Sequence, residues 1–255
     1  MRFLHASPDP GRLPRTIVLP PPPSRAAEVW RLLRRNRPAL AGLVVIAVFS
    51  LAFLIGPLLW HLAPQAQNLS YGPNPPSFAH PFGTDNAGRD LLARTMQGGR
   101  ISLLLGVAAT LVSLFIGVTY GAVSAYAGGR TDAVMMRIVD ILYALPFTLF
   151  VILLMTVVPR RTWVDECAFL RFFGLSTDIF IMLVAIGAVE WLTMARIVRA
   201  QVLAVRGREY VEAAKCLGYG PAHIIARHIV PNVLGPVVVY ATLTIPAVIL
   251  LESFI

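Results

Sequence analysis

Two carboxylates, Asp140 and Glu190, stand in stretches that otherwise carry almost no charge, and such a group must find a cation, a proton or water. That is the chemistry of a path for ions or solutes, and both residues are candidates for lining one. Arg137 precedes Asp140 by three residues, so on a helix the two share a face and can form an ion pair. Arg137 can also reach the head groups from the end of its span. Glu190 has no such neighbour. Ile186 and Met194, one turn away on either side, cannot pair with it, so a bond to another helix is expected, with a water-filled lumen as the alternative. No nucleophile, base and orienting group stand together as a hydrolase requires, so the expected set of catalytic residues is empty. A P-loop needs a lysine after glycine, whereas the only lysine, Lys215, follows Ala214, and no glycine-rich phosphate cradle is left over. The two cysteines, Cys167 and Cys216, give neither a disulfide framework nor a metal-spaced cluster. DNAGRD at 85–90 lacks the alternate-position oxygen ligands of a calcium loop, so no metal and no cofactor are expected.

The elements that hold these residues are membrane spans. Of the 255 residues 56% are hydrophobic and 14% charged, with a mean hydropathy of +0.69, and uncharged runs of about 20 residues match the thickness of a bilayer core. The formal net charge of +9 is concentrated in the tail 1–38, where eight arginines face Asp9 and Glu28. A basic tail ahead of a first span marks the cytosolic side, with a lipid or nucleic-acid contact as the alternative. The run Pro20–Pro23 excludes a helix there, a short basic helix is expected on the membrane surface from Glu28 to Arg37, and the first span covers 39–60 with Trp60 at an interface. The first apolar run begins too far in, and is too long, for a cleavable signal peptide.

An external segment, 61–100, follows, with Thr84, Asp85 or Asn86 expected to cap a short interfacial helix that Gly98 and Gly99 end. The remaining transmembrane domain, 101–255, holds spans at 101–127, 133–158, 179–197 and 233–251, with a second external loop at 159–178. Gly117 and Gly121 let two helix backbones approach, within the chain or between copies, and Pro146 is expected to bend its span. Five spans put the N-terminus inside. Of the 22 lysines and arginines, 14 then fall in the cytosolic segments and six in the external ones, the expected bias. Cys167 and Cys216 would lie on opposite sides.

The loop 205–231, which contains EYVEAAKCLGYGPAHIIARHIVPN, is therefore cytosolic. Gly218 suits the left-handed position that ends a helix and Pro221 the first turn of the next, a short helix from Ala222 to Ile229 that must stop near Pro231. Both ends are tethered to spans, which leaves no room for a DNA-binding unit; no nucleic-acid partner is expected. A docking helix fits better, with Ala213, Ala214 and Gly218 allowing close approach and Val211 and Leu217 offering apolar contact to a cleft.

Glu212, Ala213, Ala214, Gly218 and Pro231 together resemble the EAA loop of ABC-importer membrane subunits. HPFGTDNAGRD, the GGR at 98–100, MRIVDILYALP, WLTMARIVRAQVL, REYVEAAKCLGYG and RHIVPN resemble, in order, the C-type permease subunit of oligopeptide and dipeptide importers, over roughly residues 30–255. His228 and Val230 depart from the general EAA pattern, although the histidine is common in the peptide branch. The resemblance implies an all-α, polytopic transmembrane bundle of the type I ABC-importer class in a bacterial inner membrane. Five spans are seen here, and the family's sixth, after LLESFI, is expected to be missing. It also implies a second homologous permease subunit, two cytosolic ATPase subunits and an external, periplasmic solute-binding protein, with the EAA residues coupling to the ATPases through a stiff loop. Nickel or metal-chelate importers have similar membrane subunits and remain an alternative. So does a stand-alone ion-coupled carrier or channel that uses Glu190 and Asp140.

Overall fold

The computed structural model describes residues 25–59, 65–146, 149–150, 153, 156–157 and 177–254. Trp60, Cys167 and nearly all of the second external loop lie outside them. The regular elements among the described residues are helices, with only an isolated bridge between Thr84 and Asp90. The chain is an all-α polytopic membrane protein. Four described helical stretches are long and apolar enough to cross a membrane: 37–57, 91–127, 179–205 and 221–252.

The chain divides into two units between Phe49 and Ser50. In the first, α1 (Arg25–Arg35) places the Arg34 guanidinium 4.8 Å from the centre of the Trp30 ring. Asn36 interrupts the helix and accepts the Ala39 N–H at 3.3 Å, so it caps α2 (Arg37–Leu59), with Pro38 in the first turn where its missing N–H costs nothing. Leu43, Ile46 and Phe49 are exposed around α2, as suits a helix that is apolar on every side.

In the second unit, the external segment folds back on itself. The Thr84 hydroxyl donates to the Gly72 carbonyl at 2.8 Å and accepts from the Asn74 N–H at 2.9 Å. Gly88 holds φ 67°, and a Cβ there would lie 2.0 Å from the Asn68 carbonyl oxygen. The residue that caps α3 (Leu91–Ala127) is Asp90, which accepts from the Ala93 N–H, not Thr84, Asp85 or Asn86 as expected. Nor do Gly98 and Gly99 end this helix. It runs on for 37 residues, because the bare backbone at Gly99 is what admits the Phe53 ring: a Cβ would meet that ring at 2.8 Å.

α3 packs most extensively on α5 (Thr177–Val205). The expected glycine face provides the contact, within the chain: a Cβ on Gly117 would lie 2.6 Å from the Met194 side chain, and one on Gly121 2.4 Å from the Ala195 carbonyl. Between them in sequence, α4 (Gly129–Tyr143) follows a tight turn in which Gly128 and Gly129 take φ 66° and 55°. Of the expected span 133–158 with a bend at Pro146, α4 covers the first part and helical residues at 149–150, 153 and 156–157 follow the proline, while the rest lies outside the described residues. α4 stops at Tyr143, three residues ahead of Pro146, since proline pushes the residue before it out of helical geometry.

After α5 come α6 (Glu209–Cys216), the single turn α7 (Pro221–Ile224), a wider π-turn (Ile225–Ile229) and α8 (Val230–Glu252). The main core lies where these meet the ends of α3 and α5, and includes Ala122, Val198, Val202, Val211, Ile224, Ile229 and Val233.

Candidate functional site

The link from α5 to α6 is short and hydrogen-bonded to the end of α5: the Arg206 N–H donates to Val202 and the Arg208 N–H to Val205. Glu209 and Glu212 occupy the first turn of α6 and Lys215 the last, the order that favours the helix dipole, and Lys215 Nζ lies 2.8 Å from Glu212 Oε1. At the end of α6, Gly218 takes φ 81°. The Tyr219 N–H then reaches back to the Ala214 carbonyl at 3.2 Å and the Gly218 N–H to Lys215 at 2.9 Å. This paired closure satisfies carbonyls that a helix end leaves open, and a residue with a Cβ would strain it. Pro221 stands at the start of α7. Helix, turn and helix thus form a stiff elbow.

Its two faces differ. Val211 and Ala214, one turn apart, are buried in the core with Ile224 and Ile229, so these two residues do not offer contact to a partner as the sequence suggested. The outward face holds Glu212, Ala213, Cys216, Gly218 and Leu217, the last 75% exposed. Beside it, the Tyr219 ring stacks on His223 at 4.7 Å, with His228 6.0 Å away. Val205, Gly207, Arg208, Glu209, Tyr210 and Asn232 line an open groove of about 670 Å³ next to the elbow.

Pro231 does not stop the second helix as expected. It lies in the first turn of α8, and the π-turn ahead of it lets the Val230 N–H bond to the Ile225 carbonyl five residues back. Asn232 Nδ2 donates to the His228 carbonyl at 2.6 Å. The rod from Pro221 to Glu252 therefore continues through the proline, with a local widening that replaces a break.

The sequence reading missed a second polar assembly at the α3–α4 turn. The Asp132 carboxylate accepts from Arg199 Nε at 2.7 Å and Arg199 Nη2 at 2.6 Å, and from the Ser124 hydroxyl at 2.5 Å. Arg206 Nη1 donates to the Ala125 carbonyl at 2.7 Å. Arg199 on α5 and Arg206 just past its end, seven residues apart, were the signal available in the sequence; their partners 67 and 81 residues away were not.

The proposed Arg137–Asp140 pair is replaced by one between helices: Asp140 Oδ1 lies 2.9 Å from Arg196 Nη2, and Arg196 also covers the Tyr143 ring at 4.3 Å. Glu190 is half-buried and forms no ion pair among the described residues; the adjacent Trp191 meets Tyr120 edge-on at 5.0 Å. Asp140 and Glu190 are thus given different surroundings and no shared partner among the described residues. No group of three or more histidine, cysteine, aspartate or glutamate side chains that could hold a metal occurs among them. In the external segment, backbone N–H bonds from Arg89 and Ala87 and the Arg89 guanidinium hold the Asp85 carboxyl down at about 2.

A family model described as binding-protein-dependent transport system inner membrane component matches residues 91–255, and one described as the N-terminal TM domain of oligopeptide transport permease C matches 24–76. The chain is 42% identical to the dipeptide transport system permease protein DppC of Bacillus subtilis over 91% of its own length and 67% of that protein. It is 44% identical to the oligopeptide transport system permease protein OppC of Haemophilus influenzae, over 87% of this chain and 66% of the relative. For the Escherichia coli OppC the identity is 45%, over 89% and 72%. The chain spans about two thirds of the length of the first two relatives.

Proposed function

Because this chain belongs to the binding-protein-dependent transport system inner membrane component family, we propose that it is the membrane-spanning permease subunit of an ATP-driven importer of di- and oligopeptides. The cargo class follows the relatives, which are named as dipeptide and oligopeptide permeases. The subunit itself performs no chemistry. It forms half of the translocation path beside a second permease subunit, receives peptide from an external binding protein, and is driven by two cytosolic ATPase subunits that dock on the elbow. The N-terminus and the elbow face the cytosol.

The observation that carries this reading is the construction of α6 and its turn. A part that transmits a push must neither bend nor detach. The closure at Gly218 fixes the turn, while Val211 and Ala214 join the elbow to the core shared by α3, α5 and α8. A groove on the ATPase that moves when nucleotide binds would then turn the spans as one body, a shift between two discrete arrangements. Glu212, Ala213, Gly218 and Leu217 meet the ATPase, Ala214 fixes the helix from inside, and Pro231 sets the start of the driven rod.

Co-purification tests this. Leu217→Asp places a charge on a side chain that is 75% exposed and Glu212→Arg reverses one that is also exposed, so both variants should insert and fold normally. We expect each to weaken recovery of the ATPase with the tagged permease by roughly tenfold, the cost of about 1.4 kcal/mol at a central contact. ATPase recovered at the parental level with both variants would refute the docking role.

A further inference from the structure

We propose that Asp132 and Arg199 are positioning residues that make α4 travel with the elbow, so that the helix bearing Asp140 receives the full stroke; the inference rests on the coupling reading above. α4 is poorly held by apolar packing. It buries only Asp132 and Val139, while Val134, Ile138 and Ile141 are exposed. It also enters through Gly128 and Gly129, both at positive φ, a joint that glycine leaves soft. What fastens it is polar. The doubly bonded Asp132–Arg199 pair joins α4 to α5, the Ser124 hydroxyl ties the same carboxylate to α3, and the Tyr120 hydroxyl donates to the Met135 carbonyl at 2.9 Å.

Arg206 completes the grip from the other side of the turn. Its guanidinium lies on the Ala125 carbonyl and fills the space a Gly128 side chain would take, 2.8 Å from the Cβ position. Arg199 projects from the last stretch of α5 and Arg206 from the link between α5 and α6, so the segment that leads into the elbow also holds the α3–α4 turn. A bidentate guanidinium–carboxylate pair has one geometry and does not slide as an apolar contact can. Without it, α4 keeps only the Tyr120–Met135 bond and the exposed Asp140–Arg196 pair, and can lag at its glycine joint while the core moves.

The test uses the complex purified through a tag on this chain, with its ATPase and partner permease subunits, in lipid nanodiscs. Cys167→Ser and Cys216→Ser remove the native thiols, and spin labels are placed through Ile141→Cys on α4 and Ala226→Cys on the π-turn beside the elbow. With Asp132 and Arg199 intact, adding ATP and vanadate should leave one narrow distance, changed by no more than about 2 Å, the scale of a packed helix shift. Asp132→Asn or Arg199→Met should broaden it or move it beyond that range on nucleotide addition, with ATPase recovery unchanged. The exchange Asp132→Arg with Arg199→Asp should restore the narrow distance, which a purely steric role would not do. Ser124→Ala, a smaller change, should broaden it in part and serves if the single charge variants do not assemble. A narrow distance in the charge variants and in Ser124→Ala, or labels that already separate in the intact pair, would overturn the proposal. Absence of the ATPase from the purified complex would instead remove the coupling reading, and this inference with it.

Discussion

Asp85 accepts N–H bonds from the Ala87 and Arg89 backbones at 2.9 and 3.0 Å and from the Arg89 and Arg94 side chains at 2.8 Å each. All four donors favour the ionised form, which is why its carboxyl drops from 3.8 to about 2. The sign of the consequence is fixed: with the folded value below the unfolded one, the stabilisation is complete above 3.8 and is lost as pH falls toward 2. Protection of the Ala87 and Arg89 amides against hydrogen exchange, corrected for intrinsic rates, should therefore be constant from neutral pH to about 4 and fall only in the acid window below it. Loss by pH 5, or full protection at pH 2, would show that another group orders this segment. Asp90, bonded to His80 Nδ1 at 2.9 Å, is also held below its ordinary value, against the desolvation that raises it, and loses its contribution in the same acid direction.

At the scale of elements, the α3–α5 contact depends on backbone approach. A methyl group on Gly121 would lie 2.4 Å from the Ala195 carbonyl, a backbone atom that cannot move aside cheaply, whereas one on Gly235 meets nothing within 4 Å. Gly121→Ala should cost about 1–3 kcal/mol, while Gly235→Ala should be neutral or gain up to about 1 kcal/mol from helix propensity. Unfolding midpoints in detergent check the pair, and equal midpoints would mean that α3 and α5 do not touch at Gly121. This contact was legible in the sequence because small residues four apart in an apolar run have few other uses. The fate of Gly98 and Gly99 was not legible: glycine ends a helix or admits a neighbour, and only the position of Phe53 decides between them. Similarly, Pro231 announced a break that the π-turn and Asn232 avoid. Gly218 could be read in place because its conformational demand is local, whereas the Asp132–Arg199 and Asp140–Arg196 pairs join residues distant in sequence.

The larger core cluster of the second unit lies where the elbow meets the ends of α3, α5 and α8. That placement suits a subunit moved from one end. Apolar runs and the distribution of lysine and arginine sufficed to read the all-α, multi-pass class. The six ordered motifs indicated the family to which the chain belongs. The surroundings of Glu190 and Asp140 were beyond the sequence, since which helix faces each carboxylate depends on the packing of all of them. The central claim, that an ATPase sits on the outward face of the elbow, is tested most directly by a photo-activated side chain at Leu217 in intact membranes. The account predicts an adduct with the ATPase subunit that is absent when the photoreactive group stands at the exposed Ile46 of α2. An adduct with an external protein, or none with the ATPase in the assembled complex, would contradict it.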